Sequence, residues 1–242
     1  MASRTITTQK PRTGLALSGG GYRATLFALG SLWRLNELGY LKSLDRITGV
    51  SGGSITLGHL AQNWQALEFD EKTKVASNFQ QIIAKPIQDF CSQNLDIKAI
   101  ISGLLSPTET IGNKVAKAYQ QKLFGNTRLE QLPSGAGIPE FIFYATNYDT
   151  GSSVRITNKD IYDYKLGEAS SKGILLSQAV GASSAFPPYF APVIIDSSQW
   201  QWQPGKFSSH FADPDGVLHQ QLTLVDGGLY DNMGIEAINP FS

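Results

Sequence analysis

A single cysteine, Cys91, is all that the 242 residues contain, which excludes an intramolecular disulfide and any metal cluster built from thiolates alone. A lone thiol suits a reducing compartment, and a structural role is the expectation for it. Net charge is missing as well. Twenty Lys and Arg stand against twenty Asp and Glu, a balance that argues against a nucleic-acid surface and against a polybasic membrane anchor. No stretch approaches the roughly 18 uninterrupted apolar residues that a membrane-crossing helix needs, and the opening "MASRTITTQKPRTG" lacks the apolar core of a secretory signal. Internal repeats, low-complexity tracts and a recognisable linker are absent too. These absences lead us to expect a soluble chain with no transmembrane segment, made of a loose N-terminal tail, 1–13, and one domain, 14–242. With 41% of its residues hydrophobic, that domain has enough apolar material for a core.

Along the chain the patterns alternate. Gly14 to Ser18 is a short apolar run, and from Arg23 to Leu38 the residues Phe27, Leu32, Trp33, Leu35 and Leu38 recur at helical spacing until Gly39 ends the helix. Arg46 to Val50 reads as a second strand and Ser54 to Leu67 as a second helix. Strand, helix, strand, helix is the opening of a parallel α/β layer fold. Phe69 to Leu123 is mainly helical, interrupted at Pro86 and at "SGLLSPTET", and could be a lid or helices packed on the sheet. "FIFYATN" and "SSVRIT" flank the turn "YDTG" as a hairpin. Gly173 to Ser184 is helix-like and runs into the proline-rich loop "SAFPPYFAP". Ser197 to Gln221 has no clear period, and Leu222 to Asp226 is a buried strand by composition.

At the second strand-to-helix junction stands Gly49-Val50-Ser51-Gly52-Gly53, of the form Gly-x-Ser-x-Gly. A serine on so tight a turn is held in a strained backbone, and the residues two before and two after it crowd together, which explains glycine at 49 and 53. Read this way, Ser51 is a candidate nucleophile; read without chemistry, it is an N-capping serine in a glycine-rich turn. A nucleophile needs a base. His59 lies eight residues further along the same helix, about 12 Å up its axis at ~1.5 Å per residue, and points away. His210 and His219 fall in the irregular segment, where chain order would permit a Ser-His-Asp triad but neither sits at a strand end. Asp226 does end a strand, and two glycines after it leave its carboxylate room. On a parallel sheet it would face the same edge as Ser51. The alternatives for Asp226 are a Ser-Asp dyad, in which it takes the serine proton, or a simple Asp-Gly turn.

The first strand ends in "SGGGYRA", where Gly19, Gly20 and Gly21 precede a helix. Bare amides at a helix N-terminus suit either a phosphate or the oxyanion of a reacting ester. The letters Gly19-x-Gly21-x-x-Ala24 also fit a dinucleotide fingerprint. That site wants an acidic residue at the end of the second strand, where this chain has Ser51; Asp45 precedes the strand and would face the opposite edge. The oxyanion reading is therefore preferred. Arg23, one turn into the helix, would strengthen the positive field, hold a phosphate or make a structural ion pair.

Taken together, "SGGGYRA", "GVSGG", "SSAFPPYFAPV" and "VDGGLYDNMG" resemble the patatin-like phospholipase family, and the first two are also similar to the catalytic domain of cytosolic phospholipase A2. The likeness runs from Gly14 to Asn232. It implies a three-layer α/β/α sandwich with a mainly parallel central sheet, and an acyl hydrolase that works without metal or other cofactor. By motif it places the nucleophile on Ser51, the base on Asp226, and the oxyanion hole on Gly19, Gly20 and Gly21, with Arg23 following. It further implies a lipid or membrane-surface substrate, activity on phospholipid or related acyl esters, and a cytoplasmic protein in peripheral contact with membranes. Ser18 stands where the plant form of the first motif has aspartate, which leans toward the bacterial and cytosolic branches. Family members usually carry further elements after the base, so the chain is read as a trimmed domain, a natural fragment or an unusually short member of the family. A soluble carboxylesterase using His210 or His219, and a lipid-binding module without turnover, remain as alternatives. Phe186, Tyr189 and Phe190 are candidates to line an acyl channel or simply to pack the core.

Overall fold

A computed structural model describes residues 12–93, 110–187, 190, 192–205, 213 and 216–238 of the chain. Strand β1, Gly14–Leu17, leads through two glycines into helix α1, Gly21–Glu37, and β2, Arg46–Val50, leads through Ser51 into α2, Gly52–Asn63. Strand β3, Glu140–Asn147, lies on the far side of β2, and the three strands are parallel, with Leu17 beside Gly49 and Val50 beside Tyr144. Parallel neighbours require crossovers, which the helices supply. This part of the α/β fold was expected.

The buried stripe of α1 differs from the expected one. It consists of Thr25, Ala28, Leu29, Leu32 and Asn36, while Phe27 is 75% exposed. Two polar residues sit on the inner face because the core offers them partners. Thr25 Oγ1 donates to the Gly52 carbonyl at 3.0 Å, and Asn36 makes two bonds to the Ala76 backbone. Gly39, at φ 73°, ends the helix as read from the sequence.

Beyond β3 the sheet continues antiparallel through β4, Ser152–Ile156, β5, Asp160–Asp163, and β6, Gly167–Ser170. A π-helical turn, Gln80–Ala84, leads directly into helix α3, Lys85–Ser92, which holds Pro86 in its first turn. Helix α4, Ile111–Tyr119, packs against α5, Leu176–Ser183, so closely that a Cβ on Gly181 would lie 2.7 Å from that of Ala116. Of the "SGLLSPTET" interruption, all but Thr110 lies outside the described residues. Thr110 caps α4 by accepting the Asn113 N–H at 3.1 Å.

The last two strands are β7, Val193–Asp196, and β8, Gln221–Asp226, paired antiparallel to each other. β8 also pairs with β3, antiparallel, with Ala145 beside Asp226 and Asn147 beside Leu224. Because β4 occupies the opposite edge of β3, β2 and β8 share one edge. They run toward each other and meet end to end, β2 finishing at Tyr144 and β8 at Ala145. The expected parallel course of the Asp226 strand is thus corrected. Its carboxyl end faces the carboxyl end of β2 instead of lying alongside it.

Side chains alternate across this frame. Ile47, Phe141, Phe143 and Ala145 point into the large core shared with the helices, while Val50, Ile142 and Tyr144 form a small cluster with Ala237 on the other face. Among the described residues that second face is covered by the segment 228–238. Thr48 donates to the Gly234 carbonyl, Arg46 to that of Ala237, and the Tyr144 hydroxyl to Glu236. Among the described residues no helix is long and apolar enough to cross a membrane.

Candidate active site

The end-to-end meeting of β2 and β8 puts Ser51 and Asp226 at adjoining strand ends. Ser51 has φ 51° and ψ −118°, a left-handed conformation rare for a residue with a Cβ. Both elbow glycines are required, for separate reasons. A Cβ on Gly49 would lie 2.9 Å from the Ser54 Cα, whereas one on Gly53 would lie 2.3 Å from the Leu17 carbonyl oxygen. The two glycines therefore do not crowd each other, as the spacing suggested; one admits the first turn of α2 and the other admits the end of β1.

Asp226 is 3% exposed. Its backbone N–H donates to the Ala185 carbonyl at 3.0 Å, and its Oδ1 accepts the Gly228 N–H at 2.7 Å. Burial pushes its pKa above the usual carboxylate value, and the Gly228 N–H and the neighbouring Ser51 side chain partly offset that rise. A buried carboxylate of raised basicity in contact with a serine hydroxyl can receive that hydroxyl's proton.

Above the pair stands the glycine loop. Gly20 and Gly21 have φ of 139° and 64°, values that only glycine takes without strain, and they open α1. Gly19 departs from its expected role: its N–H already donates to the Asn232 carbonyl at 3.0 Å, because the segment after Asp226 folds back over the loop. A Cβ at Gly19 would strike Asn232 Oδ1 at 2.3 Å. The amides left without a protein partner among the described residues are those of Gly20 and Gly21, and both line the same cleft as Ser51 and Asp226. Arg23 also lines this cleft, is exposed, and makes no ion pair among the described residues.

The cleft measures about 650 Å³, and its walls are largely apolar, with Ile55, Val115, Ala118, Phe186 and Phe190 around the polar centre. Of the three aromatics proposed for an acyl channel, Phe186 and Phe190 line it; Tyr189 lies outside the described residues. Two tyrosines missed by sequence reasoning complete the wall. Tyr119 is buried, with its pKa pushed up to about 12 chiefly by burial. Among the described residues the Tyr22 hydroxyl is buried without a partner, and burial raises its pKa strongly. Neither carries a motif; only packing reveals them.

The histidines are engaged elsewhere. His59 Nε2 faces the Ile82 carbonyl at 3.0 Å, and burial lowers its pKa. His219 meets Asp213 at 2.5 Å and the Leu166 carbonyl at 3.3 Å, with Trp202 against its ring. His210 lies outside the described residues.

A model of the patatin-like phospholipase family matches residues 15–238. The Saccharomyces cerevisiae protein named "Putative meiotic phospholipase SPO1" is 25% identical over 175 residues, covering 64% of this chain and 27% of its own. Lysophospholipase 2 of Candida albicans is 46% identical over 61 residues, 22% of this chain and 10% of its own. Human GIVD cytosolic phospholipase A2 superposes with a TM-score of 0.57 at 14% identity, over 94% of this chain and 44% of the other. That likeness concerns the fold. The chain spans less than half the length of each of these proteins.

Proposed function

Since the chain belongs to the patatin-like phospholipase family, we propose that it is a lipid acyl hydrolase in which Ser51 is the nucleophile and Asp226 the base. The observation that carries the proposal is the end-to-end meeting of β2 and β8, which brings Ser51 into one cleft with the buried Asp226 carboxylate. Ser51 Oγ attacks the ester carbonyl as Asp226 takes its proton. Negative charge then develops on the carbonyl oxygen, and the free N–H groups of Gly20 and Gly21 stand beside the helix N-terminus to receive it. Collapse of the tetrahedral intermediate breaks the ester C–O bond, and Asp226 returns the proton to the departing alcohol. Water repeats the sequence on the acyl-serine and releases the fatty acid.

The substrate class follows from the walls. A cleft of about 650 Å³ falls within the roughly 300–1,000 Å³ of small-molecule sites, and its apolar lining suits an acyl chain. Arg23, at the edge of the cleft with no acidic partner among the described residues, suits a phosphate head group. The names of the two fungal relatives, a phospholipase and a lysophospholipase, support phospholipid esters as the substrates.

The test is fatty-acid release from phosphatidylcholine vesicles and from a short-chain ester. The native chain is expected to release acid from both, and Ser51→Ala and Asp226→Asn to fall to background. A folded native chain inert on both substrates would overturn the proposal.

A further inference from the structure

Helix α5 ends at Ser183, a wholly buried residue on whose hydroxyl three groups converge. Ser183 Oγ lies 2.6 Å from the Tyr144 carbonyl oxygen, 2.9 Å from the Ser51 backbone nitrogen and 2.7 Å from Ser54 Oγ. A carbonyl only accepts, so the one proton of Ser183 goes to Tyr144. The Ser51 N–H therefore donates to Ser183 Oγ, and Ser54 donates its own hydroxyl proton to the same oxygen. The hydroxyl is saturated, with one donation and two acceptances.

The place of this hub matters as much as its bonding. Tyr144 is where β2 finishes along β3, and Ala145 is where β8 arrives. The residues after Ser183 hold the other strand end. The Ser183 carbonyl accepts the Gly227 N–H at 3.4 Å and the Ala185 carbonyl accepts the Asp226 N–H at 3.0 Å. One three-residue stretch thus fixes the backbones of both Ser51 and Asp226.

Resting on the roles given to Ser51 and Asp226 above, we propose that Ser183 is a positioning residue for acyl transfer. Its hydroxyl holds the Ser51 backbone in the left-handed conformation that aims Oγ into the cleft, and ties that backbone to the strand end carrying the base. It touches neither substrate nor the reacting atoms.

The test is Ser183→Ala, read by kcat and KM on a soluble ester and by amide hydrogen exchange at Ser51. The expected result is a kcat lower by about ten- to a hundred-fold, as for a small misplacement of a reacting group, with KM within about two-fold. Ser51 amide exchange should accelerate by about ten-fold, since its only acceptor among the described residues is gone. Ile161→Ala, at a buried β5 position separated from β3 by β4, supplies a destabilised control that keeps its kcat well below its Tm. Should Ser183→Ala not fold, Ser183→Cys carries the same test with the same sign, because a thiol is a weak acceptor in a similar shape. An unchanged kcat, or a kcat loss matched by Ile161→Ala at equal distance from Tm, would overturn the positioning role. If the native chain turns over no ester, the functional reading fails, and Ser51 exchange alone then decides whether Ser183 holds that backbone.

Discussion

Ser51 combines a φ of 51° with a position between two strand ends, and such a conformation costs on the order of 1–3 kcal/mol in a residue with a Cβ. Ser51→Ala and Ser51→Gly both remove the hydroxyl, so the difference between them isolates the backbone strain. Ser51→Gly is expected to be more stable by about 1 kcal/mol, or about 2–4 °C in Tm for a chain of this size, measured by thermal denaturation. Asp226 yields a pH prediction. Its folded pKa is raised by burial, so the stability it contributes is complete below its unfolded pKa and is lost as pH rises through the folded value. Asp226→Asn should therefore match or exceed the native chain in stability at neutral pH, with the difference shrinking as pH falls into the acid range. Activity runs the opposite way: hydrolysis by the native chain should decline on acidification at a pH above the ordinary carboxylate range, as the base becomes protonated.

At the scale of elements, the elbow and the loop press on each other and tolerate little. Gly53→Ala would drive a methyl to 2.3 Å from the Leu17 carbonyl, a backbone clash that must separate β1 from α2. A loss of about 2–3 kcal/mol or more is expected in urea denaturation. Gly30→Ala, in the middle of α1 with nothing within 4 Å of the added Cβ, should instead gain about 0.5–1 kcal/mol through helix propensity. The contrast shows what kind of information a sequence holds. Glycines at 49 and 53 signalled crowding, but their neighbours are set by the tertiary fold. The strands β1, β2 and β3 and the helices α1 and α2 were legible because apolar runs end at glycines with little else to confuse them. β5 and β6 were not, being four residues each and half polar, "DIYD" and "GEAS". The direction of β8 was illegible for a deeper reason: composition marks a strand as buried but carries no sign for its course, which depends on the long segment before it. The loss of the Gly19 amide to Asn232 and the hub at Ser183 have the same origin, since both partners arrive from more than a hundred residues away.

At the scale of the molecule, the fold separates the cleft from the chain's imidazoles that the structure describes. His219 is tied to Asp213 and the Leu166 carbonyl, and His59 to the Ile82 carbonyl. His219→Ala is expected to lower Tm by a few degrees, on the order of 1 kcal/mol for one lost charge-assisted bond, while kcat on a soluble ester stays within about two-fold. A Ser-His-Asp triad through His219 requires that kcat collapse instead. One cleft holds Ser51, Asp226 and the glycine loop, and α2, α4 and the loop after α5 supply its apolar walls through Ile55, Val115, Ala118, Phe186 and Phe190. The thin second face, 228–238, is what returns Asn232 over Gly19, while the Gly20 and Gly21 amides have no protein partner among the described residues.

The central claim, that Ser51 attacks and Asp226 activates it, is tested most directly by labelling with a serine-directed alkyl fluorophosphonate, followed by peptide mapping in a mass spectrometer. The account predicts a single adduct, on Ser51, formed at least about a hundred-fold more slowly in Asp226→Asn and at the native rate in His219→Ala. An adduct on another serine, or labelling of Asp226→Asn at the native rate, would contradict it.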